Sequence, residues 1–126
     1  RLMNQCEEFL IERRLIKQRG DFFTKKPPTD AAEMIVAWIM ESCDSKKLDG
    51  TEKDPGEVRK GYGHAQKMRA AATFGFGQLV GKGRTPWSVS EVTSEMVGNP
   101  SVSEMVSCYM VQSGEEQTSA RAITPV

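Results

Sequence analysis

Apolar residues recur along this chain at helical spacing, in blocks separated by turn-forming residues. Between Gly63 and Val80, Ala65, Met68, Ala72, Phe76 and Leu79 fall at i, i+3, i+7, i+11 and i+14, so a helix is expected there with those five on its core face. The other side carries Lys60, His64 and Lys67, then Ala71 and Phe74. Such a helix begins polar on one side and ends apolar nearly all round, and its second half is expected to be buried on two sides. Gly75 and Gly77 each cost a helix interior about 1 kcal/mol. Their presence fits a second backbone passing close by.

Four further helices are expected. The first runs from Leu2 to Lys17, with Leu2, Cys6, Phe9, Leu10 and Ile16 on one side, and Gly20 ends it. Arg1 stands inside this pattern with no cap ahead of it, as at an excised or proteolysed start. Asp21 to Pro28 is a linker, since Pro27-Pro28 forbids helix, and Phe22 and Phe23 are expected to tuck it onto the core. The second helix starts at Asp30 with Glu33 completing a capping box, and Ala31, Met34, Ile35, Trp38, Ile39 and Cys43 form its stripe. KKLDGTEKDPGE, at 46–57, reads as a solvated loop. Ser88 with Glu91, and Ser101 with Glu104, open a fourth and a fifth helix. Val89, Val92 and Met96 are expected to face inward from the fourth, and Val102, Met105, Val106, Tyr109 and Met110 from the fifth.

No strand and no repeat is evident, so the fold class is all-α, a single compact bundle of about five helices. Three segments are expected: an N-terminal helix at 1–20, a helical core at 21–114, and a connector at 115–126. Thr124-Pro125-Val126 has the order of an N-cap, an N1 proline and the first residue of another helix, so a further domain is expected beyond it.

Length and composition limit what this bundle can be. The chain has 126 residues, enough for one domain with its own core, and no apolar run long enough to span a bilayer. Cys6, Cys43 and Cys108 are odd in number and widely spaced, so reduced core thiols in an intracellular setting are expected, not a disulfide framework or zinc site. Net charge is zero, yet it is segregated. Arg59, Lys60, Lys67, Arg69, Lys82 and Arg84 lie within 59–84 without one acid, while 85–117 holds five Glu and no base.

Little else carries chemistry. His64 is the only histidine, and a lone histidine at a helix start is ordinarily a polar surface residue, so no catalysis is expected. Gly81-Lys82-Gly83-Arg84 lacks the glycine spacing and the Ser or Thr of a phosphate loop, and Gly81 is more simply a helix C-cap. Asp49, Glu52 and Asp54 do not match an EF-hand. What remains is the basic helix. Lys60, His64 and Lys67 fall at i, i+4 and i+7, and Tyr62, Gln66, Arg69 and Thr73 form a second strip at the same spacing, taken as its neighbour. Cations beside amides and hydroxyls suit phosphates and base edges.

The strings RKGYGHAQKMRAAATFGFG, TPWSVSE, GNPSVSEMVSCYM and TSARAITP, in that order between residues 59 and 125, resemble the amino-terminal region of Crypton-type tyrosine-recombinase-like proteins, a resemblance spanning roughly residues 30–125. The resemblance implies a small helical, SAM-like core-binding domain that clamps one face of DNA ahead of a catalytic domain, and so a nuclear protein. Two departures stand out. The family's Arg, His-x-x-Arg and nucleophilic Tyr belong to the later domain, whereas here the only histidine is followed three residues on by Lys67. VQSGEEQ, at 111–117, also stands where a basic run is expected after Tyr109-Met110.

The resulting expectation is a non-catalytic domain, without cofactor or metal, that contacts duplex DNA through Arg59, Lys60, His64, Lys67, Arg69, Lys82 and Arg84 on phosphates and Tyr62 and Gln66 on base or sugar. The rival is a helical protein-interaction or self-association module using Phe74, Trp87 and the acidic last two helices. A small-molecule site in the bundle is a weaker third reading.

Overall fold

The fold was analysed in a computed structural model, which describes residues 1–44, 51, 53 and 60–123. Four α-helices dominate: α1 (Leu2–Glu12), α2 (Ala31–Cys43), α3 (Tyr62–Phe74) and α4 (Glu104–Ile123). A π-helical turn, Gly75–Leu79, extends α3, and a small antiparallel hairpin, β1 (Ser88–Val89) with β2 (Met96–Val97), precedes α4. The domain is thus mostly helical. The solvated-loop reading of 46–57 and the N-cap reading of 124–126 fall largely or wholly outside the described residues.

α2 is the central post, packed against α1, α3 and α4. Its stripe is as broad as its sequence requires: Ala31, Ala32, Met34, Ile35, Trp38, Ile39 and Cys43 are all buried. Asp30 precedes the helix but makes no side-chain capping bond. The Pro28 carbonyl accepts the Ala31 N–H at 3.0 Å instead, so the expected capping box is absent. At the other end Lys53 Nζ donates to the Met40 and Glu41 carbonyls, placing a cation at the negative end of the helix.

α1 is shorter than its periodicity suggests. Arg14 adopts φ 61° and the Leu15 N–H donates back to Leu10 O, so the helix stops at Glu12 while Ile16 still turns into the core. Buried Glu7 then accepts the Gly20 N–H at 2.9 Å, and the linker follows the bundle surface. Phe22 is fully buried, and its ring meets Phe23 and Phe76 at centroid distances of 5.1 and 5.2 Å.

The fourth expected helix is instead the hairpin, and this corrects both the helix count and the absence of strands. Ser90 turns the chain: its Oγ accepts the N–H groups of Val92 and Thr93, and its own N–H donates to Glu95 O at 2.8 Å. A serine that bonds the backbone locally competes with helix, and the flanking Val89, Val92, Thr93 and Val97 are β-branched. Val89 and Val92 are therefore exposed, Val92 at 92 %, and not inward-facing. Gly98 has φ 96°, and a Cβ there would overlap the Pro86 carbonyl oxygen.

α4 begins two residues later than its sequence suggests. Ser103, not Ser101, caps it, with Oγ accepting the Val106 N–H at 3.2 Å. Val106 and Met110 are buried, whereas Met105 is 44 % exposed. The helix also continues through 115–123, where a connector was expected.

Candidate nucleic-acid interface

The core face of α3 is as its periodicity predicts for Ala65, Met68, Ala72 and Phe76, all buried. Leu79 departs from it, 64 % exposed. The cause is the π turn, whose i→i+5 bonding advances the chain by a smaller angle per residue, so Leu79 never reaches the core side. Gly77, one turn beyond Thr73, stays on the flank that carries Gln66 and Thr73, and the change of phase brings Gln78 towards it. Gly77 meets the backbone there: a Cβ would lie 3.0 Å from Gly83 O, while one on Gly75 would meet the Phe23 ring at 2.7 Å. The second half of the helix is not buried on two sides, because Phe74 is 52 % exposed.

The two polar strips of α3 are not neighbours. At 3.6 residues per turn they lie roughly 160° apart, and the structure separates them accordingly. Tyr62, Gln66, Arg69 and Thr73 line a groove of about 560 Å³ that is completed by Phe74, Gln78, Arg84 and Val102, among others. Lys60, His64, Lys67 and Lys82 do not line it. Lys60 is exposed, with its N–H held by Ser42 O at 2.8 Å. Lys67 is exposed, His64 half-buried, and partial burial lowers the pKa of Lys82. Arg59 lies outside the described residues. Of the described cations, Arg69 and Arg84 line the groove and Lys60, Lys67 and Lys82 do not.

Arg69 is held inside the fold. Its Nη2 donates to Ser107 Oγ at 2.8 Å and to Ser101 O at 3.3 Å, so its first role is to fasten α3 to the start of α4. Beneath it lies a polar network: Thr73 Oγ1 and Ser101 Oγ are 2.6 Å apart, and fully buried Asn99 donates from Nδ2 to Thr73 O and Gly83 O. Tyr62 packs its ring against Gly114 of α4, where an added Cβ would lie 3.0 Å from the ring. That leaves it a wall of the groove and not a projecting contact. Gln66 and Arg84 are exposed.

The sequence points to neither Gln78 nor Val102 as a site residue, and to Phe74 only as part of a protein-interaction surface. A π turn leaves no clear mark on hydrophobic periodicity, so the rotation that places Gln78 had no visible signal beyond the paired glycines. Among the described residues the ion pairs are Arg13–Glu41 and Arg19–Glu8, neither of which involves a cation of 60–84. No three His, Cys, Asp or Glu among the described residues could together hold a metal ion, and no described helix is long and apolar enough to cross a membrane.

No protein-family model, curated protein or solved structure matches this chain. The capabilities of this surface rest on its residues alone. It offers exposed amides and cations on a helix about 20 Å long, with Gly63 and Ala70 on the outward ridge between the two flanks.

Proposed function

We propose that this chain is a non-catalytic DNA-binding domain that docks α3 against duplex DNA, with the nucleus as its place of action. The observation that carries this reading is the outward side of α3, where Gln66 and Lys67 project between the small residues Gly63 and Ala70. Small neighbours let a helix backbone approach a groove, an exposed glutamine offers a donor and an acceptor to a base edge, and cations on both flanks reach the two phosphate strands. Lys60, His64 and Lys67 serve one strand, Arg84 and Lys82 the other. Arg69 is a positioning residue. A SAM-like core-binding role beside a separate catalytic domain, as the Crypton resemblance implies, accommodates this docking.

Fluorescence anisotropy with a labelled duplex at several salt concentrations tests it. Affinity should fall steeply with salt, and Lys67→Ala with Arg84→Ala should reduce the log–log slope by about 2, roughly one per phosphate contact removed. An unchanged slope, or no binding at low salt, rejects the reading.

A specific observation favours a second reading. Phe74 and Leu79 at the end of α3, and Val89 and Val92 of the hairpin, are each more than half exposed, and exposed apolar side chains suit a protein-interaction or self-association surface. Sedimentation without DNA separates the two: a dimer that leaves duplex unshifted favours the second.

A further inference from the structure

The groove beside α3 has an apolar wall that duplex docking does not use. Its apolar wall is the half-exposed ring of Phe74 with Ala70 and Val102. Its polar rim is Gln66, Gln78 and Arg84, and no carboxylate lines it. A flat apolar wall beside amides, which present paired donors and acceptors, matches a heteroaromatic base and its edge, and a guanidinium at the rim matches a phosphate. The volume of about 560 Å³ is in the range of small-ligand sites.

The groove is also built to keep its shape. Gly83 O accepts from Asn99 and the Gly83 N–H donates to Gly77 O at 3.1 Å, so the loop that presents Arg84 is tied to the π turn that presents Gln78. We propose that this groove receives one unpaired nucleotide, with its base stacked on Phe74, its edge read by Gln66 and Gln78, and its phosphate on Arg84. This rests on the DNA-binding reading and deepens it: the domain prefers DNA containing an unpaired base.

The test uses a fully paired duplex, the same duplex with one central unpaired adenosine, and adenosine monophosphate as competitor. The bulged duplex should bind about fivefold or more tightly than the paired one, the effect of stacking a base on an aromatic ring. Phe74→Ala should erase that advantage without changing paired-duplex binding, and Phe74→Trp should restore it. The mononucleotide should displace the bulged duplex alone. Equal affinity for the two duplexes, or an advantage that survives Phe74→Ala, overturns the proposal. If neither duplex binds, the duplex reading fails, and an NMR titration with adenosine monophosphate decides the groove. Shifts at Thr73, Phe74 and Gln78 support it as a free-nucleotide site, and none at millimolar ligand overturns it.

Discussion

Asn99 donates a hydrogen bond from its side-chain amide to the carbonyl of Gly83 at 2.9 Å, and through it the base of the hairpin holds the basic loop in place. The same amide nitrogen donates to Thr73 O, and Asn99 Oδ1 accepts the Ser101 N–H at 3.0 Å. One fully buried side chain thus joins α3, the loop and the approach to α4. Asn99→Ala removes three hydrogen bonds made by this side chain, each with a net worth of about 0.5–1.5 kcal/mol. Urea denaturation should show a loss of roughly 2–4 kcal/mol, and a loss below about 1 kcal/mol would mean the network is not formed.

Arg69 separates a structural cation from a binding one. Its bonds to Ser101 O and Ser107 Oγ predict that Arg69→Ala lowers stability by about 1–2 kcal/mol. The salt slope of DNA binding should stay unchanged, in contrast to Lys67→Ala. A slope reduced by about one unit with stability intact would reassign Arg69 to the phosphate contacts.

The close approach at Gly75 sets a sharper steric test. A Cβ there would meet the Phe23 ring at 2.7 Å and Met3 Cε at 2.9 Å, inside the cluster of Phe22, Phe23 and Phe76. Gly75→Ala should cost about 1–3 kcal/mol, the range of overpacking in a filled core. Gly63→Ala, with open space around it, should be neutral or stabilising by up to about 1 kcal/mol. Thermal melts of the two variants should therefore move apart, and melts that coincide would contradict the packing at Phe23.

Much of this fold was legible in the sequence, and the exceptions have physical causes. The stripe of α2 and the residues Ala65, Met68, Ala72 and Phe76 of α3 are buried as the spacing indicates, because burial on one side of a regular helix writes itself into apolar periodicity. Ser88 and Glu91 matched a capping box, but that four-residue pattern is blind to the residues around and beyond it. Val89, Val92, Thr93 and Val97 favour extended backbone, and Ser90 supplies a turn. The candidate surface was half legible. Its cations were visible, but strips offset by two residues sit on opposite flanks of a helix, and the π turn then shifts the phase beyond Phe74. Asn99 could have been noticed only as a polar residue between Gly98 and Pro100.

The hairpin makes a prediction that the helical reading of 88–97 reverses. Val92 is 92 % exposed at the turn, so Val92→Lys should change stability by less than about 0.5 kcal/mol, as surface substitutions do. Were the segment a helix with Val92 in the core, a buried lysine would be strongly destabilising. Chemical denaturation of this one variant decides between the two.

Alkaline pH tests the core. Burial pushes the Cys43 thiol up to about 11, burial likewise raises Cys6, and burial followed by the bond to Asp44 raises Tyr109. An unfolded thiol loses its proton near about 8.5 and an unfolded tyrosine near about 10, so above those values the unfolded chain holds fewer protons than the native one. Stability is then level below pH about 8.5 and falls as pH rises towards the folded value. Urea midpoints should drop between about pH 8 and about pH 10.5, and Cys43→Ala should flatten that slope. A thiol reagent gives the complementary reading: at neutral pH it should modify exposed Cys108 rapidly and leave Cys6 and Cys43 unmodified until denaturant is added. Rapid reaction at all three would mean that α1 and α2 do not close over the core.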